Sequence, residues 1–252
     1  MATQIAPAPF NPGLPMKREW GTALSALRRL LSNGDDTEQV FKIMRALNGD
    51  VTQRNYRKLL TTPKGGAIAY KRVELAERLT DRAWIDSFPE GTLGAAYRNF
   101  LDTTGYSADG LAEVSMAEFG DAQIDHPYTW MGRRERDIHD LWHVITGYQA
   151  DEHLGEACLV AFSYAQTGGL GWAFIGAGAA LKSLRVTGKA DFFKAVVEGY
   201  RRGKQAGWLH GEDYETLLAE PLDQIRRRLN VVEPVKYQIA QASLAAAGLK
   251  GI

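Results

Sequence analysis

Apolar residues recur three and four positions apart along most of this 252-residue chain, and the alternation expected of a strand occurs almost nowhere. That periodicity restricts the fold more than any other feature. Trp20, Leu24, Leu27 and Leu31 share one helical face, Thr37 opens a run with Val40, Met44 and Leu47, and Asp50 is placed to cap a third helix. After a turn at Thr62, Pro63, Gly65 and Gly66 the period resumes from Ile68 to Leu79, and Pro89-Glu90-Gly91 opens a segment toward Leu101. Beyond an irregular region, 102–126, helices are predicted from Trp130 to Gln149, His153 to Gln166, Leu170 to Leu184, Ala190 to Gly207 and Asp213 to Leu229. The expectation is an all-α protein: a flexible Pro-rich arm at 1–16, a single multi-helix domain at 17–232, and a tail or appended helix at 233–252.

With 45% hydrophobic and 24% charged residues the chain can build a core, and 30 basic against 30 acidic residues leave no net charge. Neutrality gives no general reason to bind nucleic acid, and none is expected. One cysteine, Cys158, rules out an internal disulfide and a Cys-rich zinc cage, so a reducing, cytoplasmic setting is the default. The N-terminal prolines do not resemble a secretory signal. Ala157 to Leu181 is uncharged and long enough to cross a bilayer, but Gly168, Gly169 and Gly171 divide it, so it reads as two short buried helices.

Chemistry concentrates at Arg136-Asp137-Ile138-His139-Asp140-Leu141-Trp142-His143, followed after twelve intervening residues by Glu156. On a helix His139 and His143 lie about 40° apart and Asp140 about 60° from His143, so three ligand-type side chains share an arc beside the apolar stripe of Ile138, Leu141, Trp142, Ile145 and Tyr148. A returning antiparallel helix would add Glu156. Imidazoles and carboxylates at a core border need compensation, and a divalent cation between the two helices supplies it; carboxylates capping the histidines without metal is the other reading. Arg136 falls on the same side, to receive a substrate anion or to pair with Asp140. His153 is a spare ligand at most. Cys158 reads as an inert core thiol, and His126 and His210 as loop residues.

These residues resemble a known family, that of the fourth Coq protein of ubiquinone (coenzyme Q) biosynthesis and its bacterial relatives. Its H-D-x-x-H…E hallmark is matched by His139, Asp140, His143 and Glu156, and its P-E-G-[ST]-L-G segment by Pro89 to Gly94. Arg136, Gln166-Thr167-Gly168, Gly203-Lys204 and the Pro221-Leu222 helix fall at further family positions, so the likeness spans about 81–232. The resemblance implies a helical protein that holds a divalent metal (zinc, iron, magnesium or cobalt) on His139, Asp140, His143 and Glu156. It implies a polyprenylated quinone precursor as substrate, and oxidative decarboxylation with hydroxylation at ring carbon 1. A non-catalytic, lipid-binding scaffold for other ubiquinone-biosynthesis proteins is the alternative.

Within that frame the uncharged stretch after Glu156 would line an apolar inter-helix groove for the isoprenoid tail. Arg201, Arg202 and Lys204, and Arg226 to Arg228, are read as solvated faces or as contacts to anionic lipid. The expected setting is peripheral, on the cytoplasmic side of the inner (plasma) membrane, with a homodimer as the expected assembly.

Overall fold

Fifteen α-helices and one 3-10 turn account for the ordered elements of the computed structural model, which describes residues 17–34, 36–107, 110, 125–187 and 190–246. The N-terminal part contains α1 (Trp20–Ser32), α2 (Thr37–Leu47), α3 (Val51–Leu60), α4 (Gly65–Lys71), α5 (Leu75–Thr80), α6 (Arg82–Asp86) and α7 (Leu93–Thr104). Then follow α8 (Pro127–Asp137), α9 (His139–Thr146), α10 (His153–Thr167), α11 (Leu170–Thr187) and α12 (Asp191–Gln205). The 3-10 turn Leu209–Gly211, α13 (Tyr214–Leu217), α14 (Leu222–Arg228) and α15 (Val235–Ala246) complete the order. Among the described residues the only strand-type pairing is one isolated antiparallel bridge, Thr92 with Pro221.

Three long predicted helices are divided. Arg72 takes a left-handed conformation (φ 43°) and splits Ile68–Leu79 into α4 and α5. Ile138 separates α8 from α9, although the amide bonds from Ile138 to Arg134 and from Trp142 to Ile138 carry the helical sense across it. Pro221 lacks an amide hydrogen and precedes α14, so the predicted Asp213–Leu229 helix becomes two. The divided segment is put to use: the Leu93 and Gly94 amides donate to Glu220 and Leu218, and the Leu222 amide donates to Gly91. Two stretches of the recognised motif, about 130 residues apart, are thereby stitched together.

Helix α10 is the axis of the molecule. Leu154, Ala157, Cys158, Leu159, Val160, Ala161, Phe162, Ser163 and Gln166 are all buried, so it is enclosed on most of its circumference, by α11 and α12 in particular. The approach of α12 is backbone-close: a Cβ at Gly203 would stand 2.6 Å from the Phe162 carbonyl, and one at Gly199 would collide with that of Cys158. The break at Gly168 (φ 75°) separates α10 from α11 as expected, and among the described residues no helix is long and apolar enough to cross a membrane. Helices α1 and α2 pack on Val160 and Ile175 as added core, and α15 is an appended helix whose Tyr237 and Ala240 are buried against the body. The 1–16 arm lies outside the described residues.

The expectation of solvated or lipid-facing arginines is corrected at two positions. Arg202 is buried; it donates to the Thr146 and Val232 carbonyls, and its guanidinium lies 4.8 Å over the Tyr148 ring. Arg226 donates to the Ile145 and Val144 carbonyls at 2.9 Å each. Both cations thus cap the C-terminal end of α9, where free carbonyls concentrate negative potential.

Candidate metal centre

Helix α9 opens with His139, carries His143 one turn later and stops at Gly147 (φ 79°), after which the chain reverses into α10. The reversal is tight, since a Cβ at Gly155 would overlap the Gln149 carbonyl, and it brings Glu156, in the first turn of α10, across from both histidines. One ligand atom from each of His139, His143 and Glu156 lies within 4.8 Å of the others. His143 Nε2 is 3.2 Å from Glu156 Oε1, and His139 Nε2 is 3.8 Å from Oε2.

The opposite nitrogen of each ring is engaged elsewhere. His143 Nδ1 faces the Tyr148 carbonyl at 2.9 Å, and His139 Nδ1 faces Asp140 Oδ1 at 3.3 Å. A carbonyl acceptor requires that His143 Nδ1 bear the proton; Nε2, the other ring nitrogen, is buried and turned toward the Glu156 carboxylate. An outward-held Nδ1–H and an inward Nε2 that converges with a second imidazole on one carboxylate are what a metal-ligating histidine presents, so these residues fit a divalent cation. Burial works against the His139 imidazolium, but the Asp140 bond and the Glu156 charge outweigh it and raise the pKa. Burial likewise pushes Glu156 up, yet the charges of His143 and His139 hold it below the usual carboxylate value.

The structure brings together three of the four predicted ligands, while the fourth, Asp140, and the predicted anion-binding Arg136 stand apart from them. Asp140 stands behind His139 and orients its ring instead of joining the converging atoms. Arg136 does not pair with Asp140: its Nε and Nη2 bind Asp137 Oδ1 at 2.7 and 2.6 Å, while Nη1 is buried without a partner. His153 packs against Gly34, outside the converging set. His126 caps α8, its Nδ1 accepting from the Tyr128 amide. His210, read as a loop residue, lies in the 3-10 turn Leu209–Gly211 and is fully buried. Burial pushes the Cys158 thiol well above its ordinary value, as an inert core thiol requires.

Sequence reasoning missed the walls. The Phe100 ring is near-parallel to His143 (19°) and the Trp172 ring to His139 (13°), each with centroids 6.2 Å apart. Glu135, one turn before His139, was legible from the helical net but was not singled out; its Oε1 accepts the Trp172 indole N–H at 3.2 Å.

The family model for the coenzyme Q (ubiquinone) biosynthesis protein Coq4 matches residues 14–235, which takes in the N-terminal helices as well as the motif region. The mitochondrial ubiquinone biosynthesis protein COQ4 homolog of Danio rerio is 28% identical over 188 residues, covering 73% of this chain and 65% of the relative. Its counterpart in Mus musculus is 27% identical over 176 residues, covering 69% and 63%, and that of Scheffersomyces stipitis 25% over 187 residues, covering 73% and 55%. The matched part of the chain thus spans less than two thirds of the length of these relatives. A crystal structure from Nostoc punctiforme PCC 73102, of a protein ascribed to ubiquinone biosynthesis, aligns with a TM-score of 0.61 at 22% identity, covering 85% of this chain and 99% of that one. That likeness bears on the fold alone.

Proposed function

The chain belongs to the coenzyme Q (ubiquinone) biosynthesis protein family Coq4, and from that premise we propose that it is a metal-dependent enzyme acting on a polyprenyl-hydroxybenzoate-derived ring. The observation that carries the reading is the convergence of His139, His143 and Glu156 with both Nδ1 atoms held from behind. A divalent cation there, of the zinc, iron, magnesium or cobalt class, supplies a Lewis acid toward a ring carboxylate or phenolate, and a redox-active ion adds oxygen chemistry. In the proposed reaction the ring-1 carboxyl leaves as carbon dioxide and a hydroxyl takes its place. This is a net two-electron oxidation whose oxidant comes from outside the chain.

The chain's own residues bind and orient. Asp140 and the Tyr148 carbonyl fix the two imidazoles, and Phe100 and Trp172 supply flat walls suited to an aromatic ring. The unpartnered Nη1 of Arg136, its charge held in place by Asp137, takes an anionic oxygen of the head group. The tail follows the uncharged outer face of α11, toward the exposed Leu181 and Leu184. These offer a route to a membrane surface, where partner proteins of the pathway and a second copy of the chain would meet it.

The test is anaerobic elemental analysis of wild type beside His143→Ala, then a single-turnover assay with a short-tailed prenyl-hydroxybenzoate analogue and oxygen. Stoichiometric metal lost in the variant, with carbon dioxide released by wild type alone, supports the enzyme. Metal bound normally without turnover in any reconstitution transfers the reading to the non-catalytic lipid-binding scaffold. Absence of metal from both proteins overturns the centre.

A further inference from the structure

Glu135 is a buried carboxyl that the proposed chemistry does not use. Its side chain is only 10% exposed, and no lysine or arginine of the described residues forms an ion pair with it. His210 faces it, with Nε2 3.9 Å from Oε2 and both ring nitrogens buried without partners. Keeping a carboxyl in such surroundings is costly, so it should serve something that an apolar residue cannot. The hydrogen bond it makes is to Trp172 Nε1, at 3.2 Å. The Trp172 ring in turn lies 13° from parallel with His139, on a face of the imidazole that Asp140, bonded at the ring edge, does not control. Because the backbone bonds on both sides of Ile138 keep the helical sense, Glu135 and His139 sit one turn apart on the same side, and Trp172 from α11 spans them.

We propose that Glu135 is a positioning residue of this centre: through the Trp172 indole it holds the plane of the His139 ring. Asp140 fixes the edge of that ring and Trp172 its face. Without an acceptor at 135, the indole N–H loses its partner, Trp172 turns to find another, and His139 loses its wall. The proposal rests on the proposed function only in taking His139 as a working residue of the site.

The experiment uses the full chain with labelled histidine, free of metal, and reads the His139 ring resonances, assigned through His139→Gln. Glu135→Leu removes the acceptor, Glu135→Gln keeps it, and Trp172→Phe keeps a ring but removes the N–H. Glu135→Leu and Trp172→Phe should both displace the His139 signals, while Glu135→Gln leaves them in place. In equilibrium dialysis the first two should weaken cobalt(II) binding by on the order of tenfold, the range seen when groups behind a ligand are removed, and the double variant should be no weaker than either single one. His139 signals unmoved by Glu135→Leu, or moved equally by Glu135→Gln, overturn the proposal. If Glu135→Leu does not fold, Trp172→Phe carries the same decision. Wild type that takes up no cobalt refutes the metal centre, and the ring resonances still decide the role of Glu135.

Discussion

Replacing Glu135 by glutamine should flatten the dependence of stability on pH in the neutral range. Burial raises the Glu135 carboxyl from 4.5 to about 7, and the Trp172 bond pulls it back only in part. The groups around it do not neutralise it: His210 faces it from the 3-10 turn, itself kept uncharged by burial and by Arg134 and Lys58. Below pH 4.5 the carboxyl is protonated in folded and unfolded chains alike and contributes no difference. Between 4.5 and about 7 the unfolded chain releases its proton while the folded chain keeps it, so stability falls as pH rises; above 7 both are ionised and the loss is constant. At about 1.4 kcal/mol per pH unit across that window the loss reaches about 3 kcal/mol, on the order of 10 °C in Tm for a chain of this size. Glutamine keeps an acceptor for Trp172 and carries no such titration. Thermal unfolding of the two proteins at half-unit steps from pH 4.5 to 8.5 should give Tm curves that diverge with rising pH, the variant ending higher relative to wild type. Curves that stay parallel would show that Glu135 is already ionised in the fold at acid pH, and would refute the reasoning.

His210 should act in the opposite direction. Burial, with Arg134 and Lys58 nearby, lowers its pKa to about 3, so wild type should lose stability as pH falls from 6.5, and His210→Leu at pH 4 should regain about 3 kcal/mol relative to the difference at pH 7, measured by urea unfolding. Gly203→Ala, which sets a methyl 2.6 Å from the Phe162 carbonyl, should cost about 1–3 kcal/mol by separating α10 from α12, and an unchanged urea midpoint would contradict that close approach. Arg226→Met should remove both side-chain caps it gives the end of α9 and cost about 2 kcal/mol, visible as a lower urea midpoint. Cys158 should react with a thiol reagent only as fast as the protein opens, and rapid labelling of native protein would contradict its burial.

The helical character, the break at Gly168 and the pairing of His139 with His143 and Glu156 were legible because each depends on local spacing. A 3.6-residue period aligns the two histidines, and a glycine that adopts positive φ ends a helix, whatever lies around them. Division of the predicted helices was less legible. Apolar periodicity runs through Arg72 and Ile138 unaltered, since a single interrupting residue divides a helix without changing which side chains are apolar.

What the sequence alone determined, then, was an all-α chain carrying a helical His-Asp-x-x-His and a following glutamate. Tertiary structure decided which members of that set converge. Asp140 went behind His139, Arg136 turned to Asp137, and two arginines read as surface charge were drawn inward to the carbonyls ending α9. Tertiary structure also placed Phe100, Trp172 and Glu135, from three separate helices, around the histidines. Spacing sets the angular position of a side chain on its own helix, but its partner is chosen by the packing of other helices, and by the need to satisfy each polar group once water has been excluded.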